Sequence, residues 1–323
     1  MLTALAAIVI GFILLVWSAD RFVAGASATA THLGIAPLIV GVVIVGIGTS
    51  APEMLVSIMA AAQGNANIAI GNALGSNITN VGLILGASAM LYPLSVQSGI
   101  IRRELPILAL IMMVSLILMV DGVLSRFDGT ILISGFAAVL AWSFYQAKTQ
   151  QGDALEAEFE AELDTDMSLA VAIAWLVAGI TILIASSKTL VWGAVYIAEA
   201  MGVSDLIIGL TIIAIGTSLP ELAATIAAAR KAQYDIAGGN VIGSNMFNLV
   251  GVMAFPGLLA PGAFDPSVMV RDFPVMIALA ILLILFSSNF TLRSAGTIGR
   301  AKGFILLLAY TAYMVLLYIQ TSA

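Results

Sequence analysis

The sequence predicts an all-α integral membrane protein, with ten transmembrane helices in two inverted five-helix repeats. Three observations predict it. The 323 residues are 61% hydrophobic and 9% charged, with a mean hydropathy of +1.11, against about 25% charged in a typical soluble domain. Apolar runs of spanning length recur ten times along the chain. Two polar motifs return in order at one offset of 168 residues. No soluble core could hide so large an apolar fraction, so the solvent outside the protein is lipid.

The runs lie near 4–20, 37–62, 68–92, 104–120, 128–147, 168–187, 205–229, 237–260, 273–290 and 304–320. The first, Leu2 to Ala19, carries no Lys or Arg ahead of it and many apolar segments follow. It therefore reads as a transmembrane helix rather than a cleaved signal peptide. The strongly polar stretch, Thr149 to Asp166, holds Asp153, Glu156, Glu158, Glu160, Glu162, Asp164 and Asp166. It reads as a solvated linker, since it lacks the glycine and the ligand spacing of a helix-loop-helix calcium site. The chain thus divides into a first half, 1–148, an acidic linker, 149–167, and a second half, 168–323. With the N-terminus outside, nine of the 12 Lys and Arg fall in inward-facing loops, and only Arg126, Lys188 and Arg271 face outward. That positive-inside bias puts both termini outside and the linker in the cytoplasm.

Composition also excludes whole classes of function. There is no cysteine, so no disulfide and no thiolate metal site. No basic patch with interleaved aromatics is present, so nucleic acid is not a ligand. The single histidine, His32, sits beside an expected helix end and reads as an interfacial residue. Neither repeat motif contains His, Lys or Cys, so a nucleophile–base pair is missing and an enzyme is not indicated.

The repeat is the main signal. Ile47-Gly48-Thr49-Ser50-Ala51-Pro52-Glu53 returns as Ile215-Gly216-Thr217-Ser218-Leu219-Pro220-Glu221. Gly71-Asn72-Ala73-Leu74-Gly75-Ser76-Asn77-Ile78-Thr79-Asn80 returns as Gly239-Asn240-Val241-Ile242-Gly243-Ser244-Asn245-Met246-Phe247-Asn248. Polar positions match throughout except Thr79, which faces Phe247, while apolar positions drift. Five helices per half is an odd number, which turns the second half upside down. Gly71, Gly75, Gly239 and Gly243 fall four apart on one face and read as close-packing positions. Close packing does not explain Glu53 and Glu221. An ionised carboxylate at the bilayer midplane is costly without a partner, and neither span holds a Lys or Arg.

Two midplane carboxylates without a basic partner imply cations that come and go. Thr49, Glu53 and Ser57 share one helix face, as do Asn72, Ser76 and Asn80, and the second copy repeats both faces. Pro52 and Pro220 lack an N–H and open the preceding turn, freeing carbonyls near Gly48, Thr49, Gly216 and Thr217. Inside a membrane such carbonyls line a cavity or bind something. All these donors are oxygens, which suits sodium and calcium and disfavours zinc and copper.

At these residues the sequence resembles the cation/calcium antiporter superfamily, and within it the prokaryotic sodium/calcium exchangers. Their hallmark is a pair of alpha repeats, Gly-Thr-Ser-x-Pro-Glu and Gly-Ser-Asn-x-x-Asn or Asp, and both copies stand here. The resemblance covers essentially the whole chain. It implies sodium/calcium antiport by alternating access, with eight helices holding the site and the first helix of each half sliding past them. By position it implies ion ligands at Thr49, Ser50, Glu53, Ser76, Asn80, Thr217, Ser218, Glu221, Ser244 and Asn248, with carbonyls at Gly46 and Ala214. It implies no cofactor beyond the transported ions, a lipid bilayer as surroundings and a prokaryotic inner membrane as location. Some members carry Asp at the places of Asn80 or Asn248, including the potassium-dependent branch. The two amides here argue against potassium co-transport. Proton/calcium antiport on the same fold is the competing coupling, and a passive cation channel is the competing class.

Overall fold

The computed structural model describes residues 1–33, 50–96, 103–149, 167–230, 234–287 and 296–322. Nearly all of them are helical. The first helix, α1 (Leu2–His32), ends at the only histidine. Next, α2 (Ala51–Ala62) carries Pro52 in its first turn, where a missing N–H costs nothing. Gly64, at φ 84°, turns the chain into α3 (Ala66–Leu91). Then come α4 (Leu105–Met119) and α5 (Arg126–Thr149).

In the second half, α6 (Leu169–Met201) ends on Gly202 in the left-handed conformation, which glycine adopts without a Cβ penalty. Ser204 then caps α7 (Asp205–Thr217) by accepting from the Ile207 N–H. A break at Ser218 bends the chain by 41° into α8 (Leu219–Arg230). The set closes with α9 (234–259), α10 (Val268–Ser287) and α11 (Arg300–Ser322).

Seven of these helices are long and apolar enough to cross a membrane, and eight if the bent α7–α8 pair is one span. Two shorter apolar helices, α2 and α4, accompany them.

Three expectations need correction. The runs at 4–20 and 168–187 mark only parts of α1 and α6, which continue to His32 and Met201. Hydropathy falls after Ala19 because Asp20 and Arg21 follow, but helix formation does not. Arg21 rides over the Trp175 ring of α6 at 5.1 Å from its centroid. The expected span 205–229 is two helices, broken at Ser218. The fold is also not purely helical. Two short antiparallel pairs form in the connections: β1 (Leu94–Val96) with β4 (Gly296–Ile298), and β2 (Val123–Leu124) with β3 (Gly262–Ala263). Each pair joins a first-half loop to a second-half loop and satisfies backbone groups there. The expected span 37–62 is described only from Ser50 onward, so Gly46 and Thr49 lie outside the described residues.

Burial is arranged inside out relative to a soluble protein. The apolar windows of α3 and α9 are 94% and 83% buried, while those of α1, α5, α6 and α11 are 17–33% buried. Large apolar side chains such as Ile13, Leu110, Ile117 and Leu308 stand exposed. Thus α3 and α9 form the centre, and the outer helices present an apolar exterior suited to lipid.

Long α1 and α6 lie against each other through glycines. Gly11 faces Leu190 and Gly179 faces Phe22; Gly25 faces Ala172 and Leu176, and Gly193 faces Ala4 and Ile8. The second contact of each pair is the first with the halves exchanged at the 168-residue offset.

Candidate ion-binding site

Two helix starts aim the carboxylates. Glu53 lies in the first turn of α2 and Glu221 in the first turn of α8. The free N–H groups of a first turn favour negative charge, which offsets part of the cost of burying each acid without a basic residue. Both are 1% exposed. Asp272, at the start of α10, is the instructive contrast. It is also fully buried, but Arg271 donates to both its oxygens at 2.6 and 3.0 Å and Tyr313 donates at 2.8 Å. The structural acid is paired; the two repeat acids have no basic partner among the described residues.

The halves interlock around these acids. Ser218 Oγ, at the α7–α8 break, donates to Glu53 Oε1 at 3.2 Å across the halves. Ser244 Oγ of α9 donates to Glu221 Oε1 at 3.4 Å. Asn72 braces α2 against α3: its Nδ2 donates to the Glu53 carbonyl at 3.0 Å and to Ser57 Oγ at 3.1 Å. Asn240 repeats this in the second half, donating to the Glu221 carbonyl at 3.3 Å and to Thr225 Oγ1 at 3.0 Å. Thr217 Oγ1 is bonded to Asn72 Oδ1 at 3.2 Å. The Ala214 carbonyl accepts from the Ser218 N–H at 3.2 Å.

Asn80 and Asn248 each open a π-helical turn, Asn80–Leu85 in α3 and Asn248–Val252 in α9. Such turns interrupt the regular hydrogen-bond ladder and recur at functional sites.

Of the ten residues the sequence points to, nine are described: Ser50, Glu53, Ser76, Asn80, Thr217, Ser218, Glu221, Ser244 and Asn248. All nine are buried. Eleven buried side-chain oxygens have no hydrogen-bond partner among the described residues, and six of them lie on this set: Ser50 Oγ, Glu53 Oε2, Ser76 Oγ, Asn80 Oδ1, Glu221 Oε2 and Asn248 Oδ1. Buried polar atoms are normally satisfied, so six orphans on this one set of residues call for a ligand. Four of the six are carboxylate or amide oxygens, which only accept, so they fit a cation. No group of three or more His, Cys, Asp or Glu occurs among the described residues, so most of the oxygens are neutral.

Comparison with known proteins places the chain in a family. The sequence matches the family model described as sodium/calcium exchanger protein over residues 3–145 and 171–319. The acidic stretch falls between the two matched segments. The chain is 46% identical over 319 residues to the putative antiporter CaxA of Alkalimonas amylolytica, covering 98% of this chain and 99% of that one. It is 42% identical over 324 residues to the inner membrane protein YrbG of Escherichia coli strain K12, covering 98% of each. Its fold is similar to that of the sodium-calcium exchanger NCX_Mj soaked with 10 mM Na+ and 10 mM Sr2+. There the TM-score is 0.65 at 30% identity, over 97% of this chain and 98% of the other. With both halves matched, the likeness running the length of each relative and the acids placed as described, the chain belongs to the sodium/calcium exchanger protein family.

Proposed function

We propose that this chain is a secondary active antiporter that exchanges sodium for calcium across a prokaryotic inner membrane by alternating access. The observation that carries the reading is the set of six unpartnered buried oxygens on residues that include Glu53 and Glu221. Calcium takes six to eight oxygen ligands at about 2.3–2.6 Å. The ligands would come from the nine described residues together with Thr49. Two carboxylates are neutralised by one calcium or by two sodium ions, and a third sodium leaves one positive charge. Mixed hydroxyl, amide and carboxylate oxygens suit either load. Asn80 and Asn248 stay neutral, so potassium has no third carboxylate to balance it. The names of CaxA as a putative antiporter and of NCX_Mj as a sodium-calcium exchanger point the same way.

The test is radiocalcium uptake into proteoliposomes under sodium, proton or potassium gradients. Uptake should follow an outward sodium gradient and ignore potassium. Uptake driven by protons and not by sodium would replace the coupling ion and leave the site intact. Calcium flux with no counter-ion would make the protein a channel.

The architecture we propose is ten spans in two inverted halves, with α2 and α4 as parts of spans and the termini outside. The exchanged contacts between α1 and α6 support it. The paired braces of Asn72 and Asn240 support it independently. The chain has no native cysteine, so single cysteines report cleanly. Gln63→Cys after α2 should react with an impermeant maleimide from outside, and Arg230→Cys at the end of α8 only from inside. Labelling of both from one side would sink the inversion.

A further inference from the structure

We propose that Asn77 and Asn245 are positioning residues of the ion site, each holding the ligand amide of the opposite half with its carbonyl oxygen turned toward the ion. The proposal rests on the ion-site reading above and adds two residues to it. Asn80 Nδ2 donates to Asn245 Oδ1 at 3.1 Å, and Asn248 Nδ2 donates to Asn77 Oδ1 at 3.3 Å. The two bonds are one interaction with the halves exchanged at the 168-residue offset. Asn77 and Asn245 are 2% and 3% exposed, so water does not compete for them. Both line a small cavity between α3, α4, α9 and α10, whose other walls include Leu108, Met112, Met276 and Ala280.

The chemistry follows from the amide itself. Its two ends are almost the same size, and one accepts while the other donates. A cation is stabilised by the oxygen end and repelled by the NH2 end. An amide with no orienting partner would turn over each time the site empties. The oxygens of Asn77 and Asn245 attract the NH2 ends of Asn248 and Asn80. That leaves Asn80 Oδ1 and Asn248 Oδ1 unpartnered, as found. The Asn77 NH2 in turn is directed at the Met276 thioether, 3.5 Å away, a weak acceptor that donates nothing. Each half therefore sets the ligand polarity of the other, and the central pair α3 and α9 holds that polarity by cross-bonds. The neighbouring Ser76 hydroxyl, which has no partner among the described residues, can rotate to suit an ion and needs no such brace.

The experiment is a set of double-mutant cycles on purified protein, reading calcium affinity by equilibrium radiocalcium binding and sodium affinity by competition. Asn77→Leu should weaken calcium binding about tenfold, the worth of one oriented buried hydrogen bond. Asn248→Leu should weaken it at least as much. The double variant should bind no worse than Asn248→Leu alone, because Asn77 acts through Asn248. Asn77→Leu combined with Asn80→Leu, on the same helix, should multiply the two losses. The mirror cycle, Asn245→Leu with Asn80→Leu, repeats the test if Asn77→Leu does not fold. A purely packing role would show no such crossed pattern. Independent losses for Asn77 and Asn248, or no loss at Asn77, overturn the positioning role while the ion site stands. Wild-type protein that binds neither calcium nor sodium overturns the ion site and the positioning role with it.

Discussion

Glu53→Gln and Glu221→Gln should each abolish calcium exchange in proteoliposomes while the protein still inserts and folds. Gln keeps the shape of Glu but removes half the charge that balances a divalent ion. Removing one partner from a buried charge pair is worth roughly 3–5 kcal/mol, which is about two to nearly four powers of ten in affinity. The empty protein should not suffer. A buried carboxylate without a basic partner is a burden until its ion arrives, so the variants should melt at or above the wild-type temperature in chelator. What should vanish is the upward melting shift that calcium gives wild type, since a ligand stabilises only the state it binds. Ser244→Ala removes one neutral oxygen that already donates to Glu221, so it should weaken exchange far less. Near-normal exchange in either Gln variant would refute a site shared between the halves.

Those acids were legible in the sequence because lipid leaves few reasons for polarity. In α3 and α9, where nearly every position is buried, a matched Ser or Asn has no water to face. Its presence at one offset in both halves therefore marked it. Asn77 and Asn245 belong to the same motif but were not legible as site residues. Successive residues lie about 100° apart around a helix, so a count along Asn72, Ser76 and Asn80 turns Asn77 away from the ion. The packing of α3 against α9 and α10 gives it its partners, Asn248 and Met276, and that is a tertiary fact. The repeat also runs further than the two motifs. Arg271-Asp272-Phe273-Pro274 matches Arg103-Glu104-Leu105-Pro106 at the same offset, and both stretches enter helices through π-helical turns. The signal there is short, and its meaning depends on Tyr313, which reaches Asp272 from another helix. The lengths of α1 and α6 were hidden for a different reason. Hydropathy measures what faces lipid, and helices continue past it.

Gly71→Ala should lower calcium exchange at least tenfold and lower the melting temperature as well. Of the four glycines read as packing positions, Gly71 and Gly75 pack against α7, whereas a Cβ at Gly239 or Gly243 would meet nothing within 4 Å among the described residues. A Cβ at Gly71 would lie 2.5 Å from the Leu206 carbonyl oxygen, 3.0 Å from the Leu210 backbone nitrogen and 3.1 Å from the Gly209 Cα. On the facing helix, a Cβ at Gly209 would lie 2.5 Å from the Ile68 carbonyl oxygen and 3.0 Å from the Gly71 Cα. Non-bonded carbon contacts are comfortable near 3.5–4.0 Å, and the opposing atoms are backbone, which cannot rotate away. The methyl group must therefore push α3 and α7 apart by about 1 Å, and overpacking of this kind costs about 1–3 kcal/mol. The effect on transport should exceed the effect on stability. Asn72, the next residue, holds Thr217 at 3.2 Å across this same contact, and Ser218 holds Glu53 at 3.2 Å just beyond it. Hydrogen bonds of that length do not survive a 1 Å separation, so the two halves of the site lose register. Exchange kinetics and thermal melting on Gly71→Ala, with Gly75→Ala beside it, test this. The Gly75 Cβ would meet Ala214 Cβ and Leu210 Cα at 2.7 Å, one turn nearer the break, and its loss of exchange should be at least as large. Exchange within twofold of wild type in both variants would mean that the α3–α7 contact does not set the geometry of the site.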